Sequence, residues 1–352
     1  MPGEIRDGTL QNGAWIKKIP SSYEPAQVRS WLERMGLDLG TSSDSFPPPS
    51  RKTLNAIVKR HLIMFPFENT DMHYTPHHSM DVSAEAVYNR LVKEYRGGSY
   101  CFGLNGLILG MLRGLGYRAF AGSARVNHGP PDGPLAYTSL NHQVIFVQPE
   151  NDSNQTYLVD VGFGTGLVRP ILLSNSEENI VMGTDATEHH RLIWAAAHST
   201  SLEMSNGSTT PGAMKWNPQV LHGDRDAENA APWRILYSFS EEEFHDRDFH
   251  DASFVVYSSP NPNGLFWNNV VCIKYFADDD ADANSDGDVS REIAYRMTLM
   301  GKEVKKRGKG GSETILKFDS EVERVRALRD IFGVKVLEED ARNIIGRVPA
   351  LE

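Results

Sequence analysis

Apolar residues in the first third of the chain recur at helical spacing. Val28, Trp31, Leu32 and Met35 share one face of a helix predicted over residues 23–37, and the pattern returns over 54–64 after the break at 45–50 (SFPPPS). Ser83 stands where a cap belongs for a helix over 83–94, with Ala86, Val87, Leu91 and Val92 on one side. The sharpest signal follows Cys101: Leu104, Leu107, Ile108, Met111, Leu112 and Leu115 form one apolar stripe. Gly114 and Gly116 close it, at the positions where a left-handed cap is usual.

From residue 117 the period drops from 3.6 to 2. Strands are predicted over 117–126, 142–148, 157–161, 180–183 and 191–195, with a loop at 127–135 (NHGPPDGPL). Residues 198–214 are polar and rich in Gly, Ser and Thr, which reads as a surface excursion. A last block carries strands over 233–239, 266–276 and 293–299, a helix over 320–332 and a short strand over 335–337. Helices, then strands, then mixed elements point to an α+β protein rather than a doubly wound sheet. With 352 residues the chain is too long for one ordinary domain.

Composition and charge narrow the partners. The net charge is −10 and the densest basic run, KEVKKRGK at 302–309, is short, which argues against nucleic acid and against an anionic membrane. No apolar run approaches the roughly 20 residues of a membrane-spanning helix, and the N-terminal residues lack the apolar core of a secretory signal. Two cysteines, Cys101 and Cys272, exclude a disulfide scaffold and suit a reducing, cytoplasmic setting. The stretch Asp282-Ala283-Asn284-Ser285-Asp286-Gly287 imitates the start of a calcium loop, but the twelfth position is Ile293, so 278–288 reads as a solvated acidic loop. The histidine pairs His189/His190 and His245/His250 lack metal-ligand spacing, and no metal is expected.

Cys101 sits at the junction between Arg96-Gly97-Gly98-Ser99-Tyr100 and the strongest helix. A helix N-terminus stabilises a thiolate, the reactive form of cysteine. Cys272, in an apolar strand run, reads as core. His142 opens one strand and Asp160 ends the next, with the turn PENDSNQ between them. If that turn centres on Asn151, the two lie directly opposite on one face, where a carboxylate holds an imidazole in one tautomer. A shift of the turn centre by one residue would undo that direct pairing. Taken singly, a buried cysteine, a half-buried histidine and a turn aspartate are ordinary. Together they make a Cys-His-Asp set of the papain-like kind.

These residues carry a resemblance to the arylamine N-acetyltransferases. The matching segments are Phe65-Pro66-Phe67-Glu68-Asn69, Arg96-Gly97-Gly98 ahead of Cys101, Asn105, His142 with Val144, and Asp160-Val161-Gly162-Phe163-Gly164. Ser258-Ser259-Pro260 and residues 266–273 extend it, so the similarity runs from about residue 25 to the C-terminus. The resemblance implies an N-terminal helical bundle bearing the cysteine (1–117), a central antiparallel β-barrel bearing His and Asp (118–230) and a C-terminal α/β lid (231–352). It also implies a ping-pong acyl transfer from acetyl-coenzyme A, or another acyl-coenzyme A, to an arylamine, arylhydrazine or arylhydroxylamine. Catalytic roles fall on Cys101, His142 and Asp160. Phe163 and Phe67 would face the arylamine, and Thr138 and Ser139 the coenzyme.

Two departures stand out. Two residues, Ser99 and Tyr100, separate Gly98 from Cys101 where the family usually has one, and Gly103 replaces the usual Glu or Gln. Gly103 is expected to leave room for a larger acyl group such as malonyl or propionyl, with Arg125 as a partner for a malonyl carboxylate or simply a solvent-facing strand residue. Two other readings stand beside the acyltransferase: a cysteine hydrolase or transglutaminase-like enzyme acting on amides, and a binding module with a vestigial triad.

Overall fold

The computed structural model describes residues 6–39, 46–130, 133–198, 200–203, 213–225, 231–261, 264–277, 292–309 and 311–351. Helices α1 (Pro25–Arg34) and α2 (Arg51–Met64) come first. The two-residue strand β1 (Phe67–Glu68), short helices α3 (Asp71–Tyr74) and α4 (Ala84–Tyr88) and the long α5 (Cys101–Gly114) follow. Next come strands β2 (Arg118–Asn127), β3 (Tyr137–Gln148), β4 (Tyr157–Val159), β5 (Ile171–Leu172), β6 (Ile180–Met182), β7 (Glu188–Ala196) and β8 (Met214–His222). β9 (Arg234–Ile235) and β10 (Tyr237–Phe239) lead into α6 (Asp246–Ser258) and α7 (Leu265–Asn268). The chain ends with β11 (Val271–Ala277), β12 (Ile293–Met300), β13 (Glu303–Gly308), β14 (Gly311–Lys317) and α8 (Glu321–Asp330).

The architecture is α+β, as expected. One antiparallel sheet runs β5-β4-β3-β2-β10-β8-β7-β6, with β9 on β8, and curls into a nearly closed barrel. The second runs β1-β11-β12-β13-β14. Two pairings run across the boundaries expected from sequence: β10, beyond residue 230, completes the barrel, and β1, within the first 117 residues, adds to the C-terminal sheet.

Period-2 alternation assigns side chains to separate cores. Along β11, Val271, Ile273 and Tyr275 join the helical core around α5, whereas Cys272 faces the core under α8. Cys272 is a free buried thiol, the core residue its surroundings suggested. The barrel interior is a third cluster, built on Phe120, Val144, Phe146, Trp216 and Tyr237.

Several elements differ from the pattern reading. Residues 265–268 are a helical turn rather than strand, because Gly264 starts a turn that Asn268 closes by bonding back to its carbonyl. No strand forms over 335–337. Helix α6 escaped notice because Phe254 and Val255, both exposed, blur its apolar face. β8 was hidden by Pro218, which reads as a breaker. The excursion at 198–214 is mostly, and the acidic segment 278–288 wholly, outside the described residues. Among the described residues no helix is long and apolar enough to cross a membrane.

His61 in α2 is fully buried between Trp31 and Phe65, with neither ring nitrogen hydrogen-bonded. Burial lowers its pKa from 6.5 to about 3. Between those values the unfolded chain binds a proton that the fold does not, so this site costs stability as pH falls below 6.5. At pH 5 the penalty is about 2 kcal/mol. Urea unfolding of wild type and His61→Leu at pH 7.5 and pH 5 should show the variant losing less stability on acidification by about that amount.

Candidate active site

Cys101 is the first residue of α5 and is 4% exposed. Its Sγ lies 3.7 Å from the Asn141 carbonyl oxygen, and it stands within hydrogen-bonding reach of His142. His142 Nε2 is 2.8 Å from Asp160 Oδ2, and both side chains are buried. The structure therefore brings Cys101, His142 and Asp160 together in that order.

The strand register differs from the expected one. Pairs between β3 and β4 sum to 304, as in Ile145 with Val159, so the turn centres on Asp152. β4 ends at Val159, and His142 pairs instead with Ala124 on β2. Asp160 and His142 are thus diagonal rather than opposite. A slip of two positions keeps side chains on the same face, so the carboxylate still reaches the ring.

Asp160 is a buried charge held by three donors. Oδ2 faces His142, while Oδ1 accepts from Asn105 Nδ2 at 2.9 Å and Gly162 N at 3.0 Å. Asn105 also accepts from Val161 N and donates to the Gln143 carbonyl, so one side chain of α5 stitches the helix to both strands. Burial favours the neutral acid, but the His142 charge and these hydrogen bonds prevail and hold the carboxyl below its ordinary range. For His142 burial favours the neutral ring, yet Asp160, with help from Cys101, raises its pKa to about 10.

Aromatic rings close the site. Phe163 stands edge-on to His142 at 5.3 Å, and Tyr237 lies 5.0 Å from His142 and 5.1 Å from Phe163. Burial and the Asp160 charge keep the Tyr237 hydroxyl protonated. Phe67, buried in β1, contacts Phe266. Tyr237 lies within the strand expected over 233–239, but its place at the site was missed because no local pattern shows that this strand pairs with β2. Thr138 Oγ1 donates to Asn141 Oδ1 and accepts from Val126 N, ordering the loop before His142, while Ser139 is exposed.

The two departures before and after Cys101 prove to be one. A Cβ on Gly103 would stand 2.2 Å from Ser99 Oγ and 2.6 Å from Ser99 Cβ. Gly103 therefore opens no acyl pocket; its space is filled by the buried side chain of Ser99. Arg96 is half-exposed, with long contacts to Asp71 and Glu94. Arg90 is the buried arginine here, bonding Glu68, Asp71 and the Gly98 carbonyl. Among the described residues no three His, Cys, Asp or Glu side chains are arranged to hold a metal ion.

A buried thiol, an imidazole and a carboxylate thus stand together beside the β-barrel. The N-acetyltransferase family profile matches residues 51–287, and the chain belongs to the arylamine N-acetyltransferase family. It is 30% identical to an arylamine N-acetyltransferase of Mycolicibacterium smegmatis, covering 90% of this chain and 95% of that one. It is 26% identical to the N-malonyltransferase FDB2 of Gibberella moniliformis, covering 92% of each. The solved structure of Mycobacterium marinum arylamine N-acetyltransferase in complex with CoA superposes with a TM-score of 0.66 at 25% identity, over 90% of this chain and 98% of that one.

Two outcomes follow. Gly103→Ala should lower stability by about 1–3 kcal/mol through overpacking, and adding Ser99→Gly should restore most of it; thermal melts of the single and double variants measure the coupling. In Asp160→Asn the His142 imidazolium should lose its main support. A ring that stays charged to about pH 10 in the wild type should then titrate well below that, as followed by NMR of the ring nitrogens. The raised pKa stabilises the fold fully below pH 6.5 and is lost as pH rises through the folded value.

Proposed function

We propose that this protein transfers an acyl group from an acyl-coenzyme A to the nitrogen of an arylamine or arylhydrazine, or the oxygen of an arylhydroxylamine, through a thioester on Cys101. The observation that carries this reading is Cys101 at the N-terminus of α5 beside an imidazole held charged by Asp160. In the first half-reaction Cys101 Sγ attacks the thioester carbonyl, the bond to the coenzyme sulfur breaks, and His142 protonates the departing thiolate. In the second the amine nitrogen attacks the Cys101 thioester, His142 accepts its proton, and the Cys101 sulfur leaves. Asp160 orients His142 throughout.

Phe163 and Phe67 are assigned to the acceptor pocket, and the loop of Thr138 and Ser139 to the coenzyme. Acetyl is the donor expected from the family, and the likeness to an N-malonyltransferase supports malonyl. With Gly103 filled by Ser99, that likeness and Arg125 remain in favour of the larger donor. Arg125 is exposed and donates to the Thr138 carbonyl, beside the loop that reaches Cys101. The reading places the protein in the cytoplasm, where both free thiols stay reduced.

Intact-mass spectrometry after mixing with acetyl- or malonyl-coenzyme A should show an acyl adduct that an arylamine removes. Cys101→Ser should show none. Alkylation of Cys101 without coenzyme-dependent acylation would favour the amide hydrolase, and rapid turnover of malonyl- over acetyl-coenzyme A would assign the donor.

A further inference from the structure

We propose that Tyr275, in the C-terminal sheet, is a positioning residue for the acceptor side of the site: its hydroxyl holds the Gly164 carbonyl and so fixes Phe163 against His142. The proposal rests on the acyl-transfer reading above.

The loop 160–164 leaves β4 with Asp160 at one end and Gly164 at the other. Its first half is tied to α5. Asn105 bonds Asp160 and Val161, and a Cβ on Gly162 would stand 2.6 Å from Cys101 Cα, so this backbone lies directly on the nucleophile's turn. Its second half is held from the C-terminal sheet. Tyr275 Oη donates to Gly164 O at 2.7 Å in a buried setting. Gly164 has φ +83, and a Cβ there would meet Ile273 Cδ1 at 2.8 Å and Phe67 Cδ1 at 3.2 Å. β11 is therefore seated against the loop backbone itself, one residue from Phe163.

Arg296 pairs directly across from Tyr275 on β12, so the two side chains share a face, and its guanidinium interacts with the Tyr275 side chain. Its guanidinium donates to Thr184 Oγ1 at 2.6 Å and Glu188 Oε2 at 2.7 Å, both on the barrel side. A brace thus runs from the barrel through Arg296 to Tyr275 and on to the loop. Phe163 is only half-buried; its ring meets His142 and Tyr237 and packs on the barrel core. The neighbouring carbonyl fixes the backbone from which that ring projects, and the ring is assigned to the arylamine side. The donor half-reaction, centred on Cys101, His142 and the Asn105-held end of the loop, does not depend on this brace.

Tyr275→Phe removes only the hydroxyl. The test separates the half-reactions: Cys101 acylation by acyl-coenzyme A is timed by mass, then the acylated enzyme is mixed with arylamines of increasing para-substituent size. The acylation rate should stay within about twofold of wild type, while the arylamine concentration for half-maximal deacylation rises roughly 3- to 10-fold and discrimination by substituent size weakens. The acylated fraction counts folded enzyme, so partial unfolding does not imitate this result. Equal slowing of both half-reactions, or no change in either, would overturn the proposal and leave Tyr275 a packing residue. A wild-type protein that no acyl-coenzyme A acylates would instead overturn the functional reading on which it rests.

Discussion

The Asp160 carboxylate is a charge taken wholly out of water, and the rest of the site is arranged around that fact. A buried anion persists only where donors replace its hydration. Here they come from three parts of the chain: the imidazole of β3, the Asn105 amide of α5 and the backbone of the following loop. Satisfying the carboxylate therefore forces the helix, the strand and the loop together. The same requirement brings the sulfur at the tip of α5 beside the ring it needs.

This convergence depends on very close backbone approaches. Gly162 lies against the Cys101 backbone, and Gly164 lies against Ile273 and Phe67. Either glycine, given a side chain, would push the loop off α5 or off β11. The approach to Cys101 from the other side is equally tight, and there the chain carries an additional residue. Ser99 turns inward over Gly103, and Arg90 occupies the buried site next to Glu68. Burial opposes charge on both partners, but each holds the other ionised, with Glu68 below its ordinary range and Arg90 above. An insertion and a substitution that look independent along the sequence are thus one packing solution.

The C-terminal block is more than a cover. β1 reaches into its sheet, β11 gives one face to the helical core, and Arg296 bonds into the barrel through the buried Glu188. The helical core and the barrel core meet at the loop that bears Asp160 and Phe163, with Val161 in the first and Phe163 packed on the second. A site at such a junction inherits rigidity from both, which suits chemistry that needs a sulfur, a ring and a carboxylate held in fixed relation.

The α5 stripe, the caps at Ser83 and Gly116, the apolar strand runs of β2 and β3 and the alternation of β7 were legible because they are local: helix and strand patterns are properties of neighbouring residues. The trio Cys101, His142 and Asp160 was legible from its residue types and placement, and face parity survived an error in the turn centre because side chains alternate with period two. What no local pattern carried was long-range contact. α6 and β8 take their form from what they pack against, the position of Gly103 makes sense only with Ser99 folded over it, and Tyr237 and Tyr275 reach the site from strands far along the chain. Sequence by itself determined the chemistry available and the faces presented; tertiary structure decided which distant groups meet, because burial and hydrogen-bond satisfaction are settled only when the whole chain has packed.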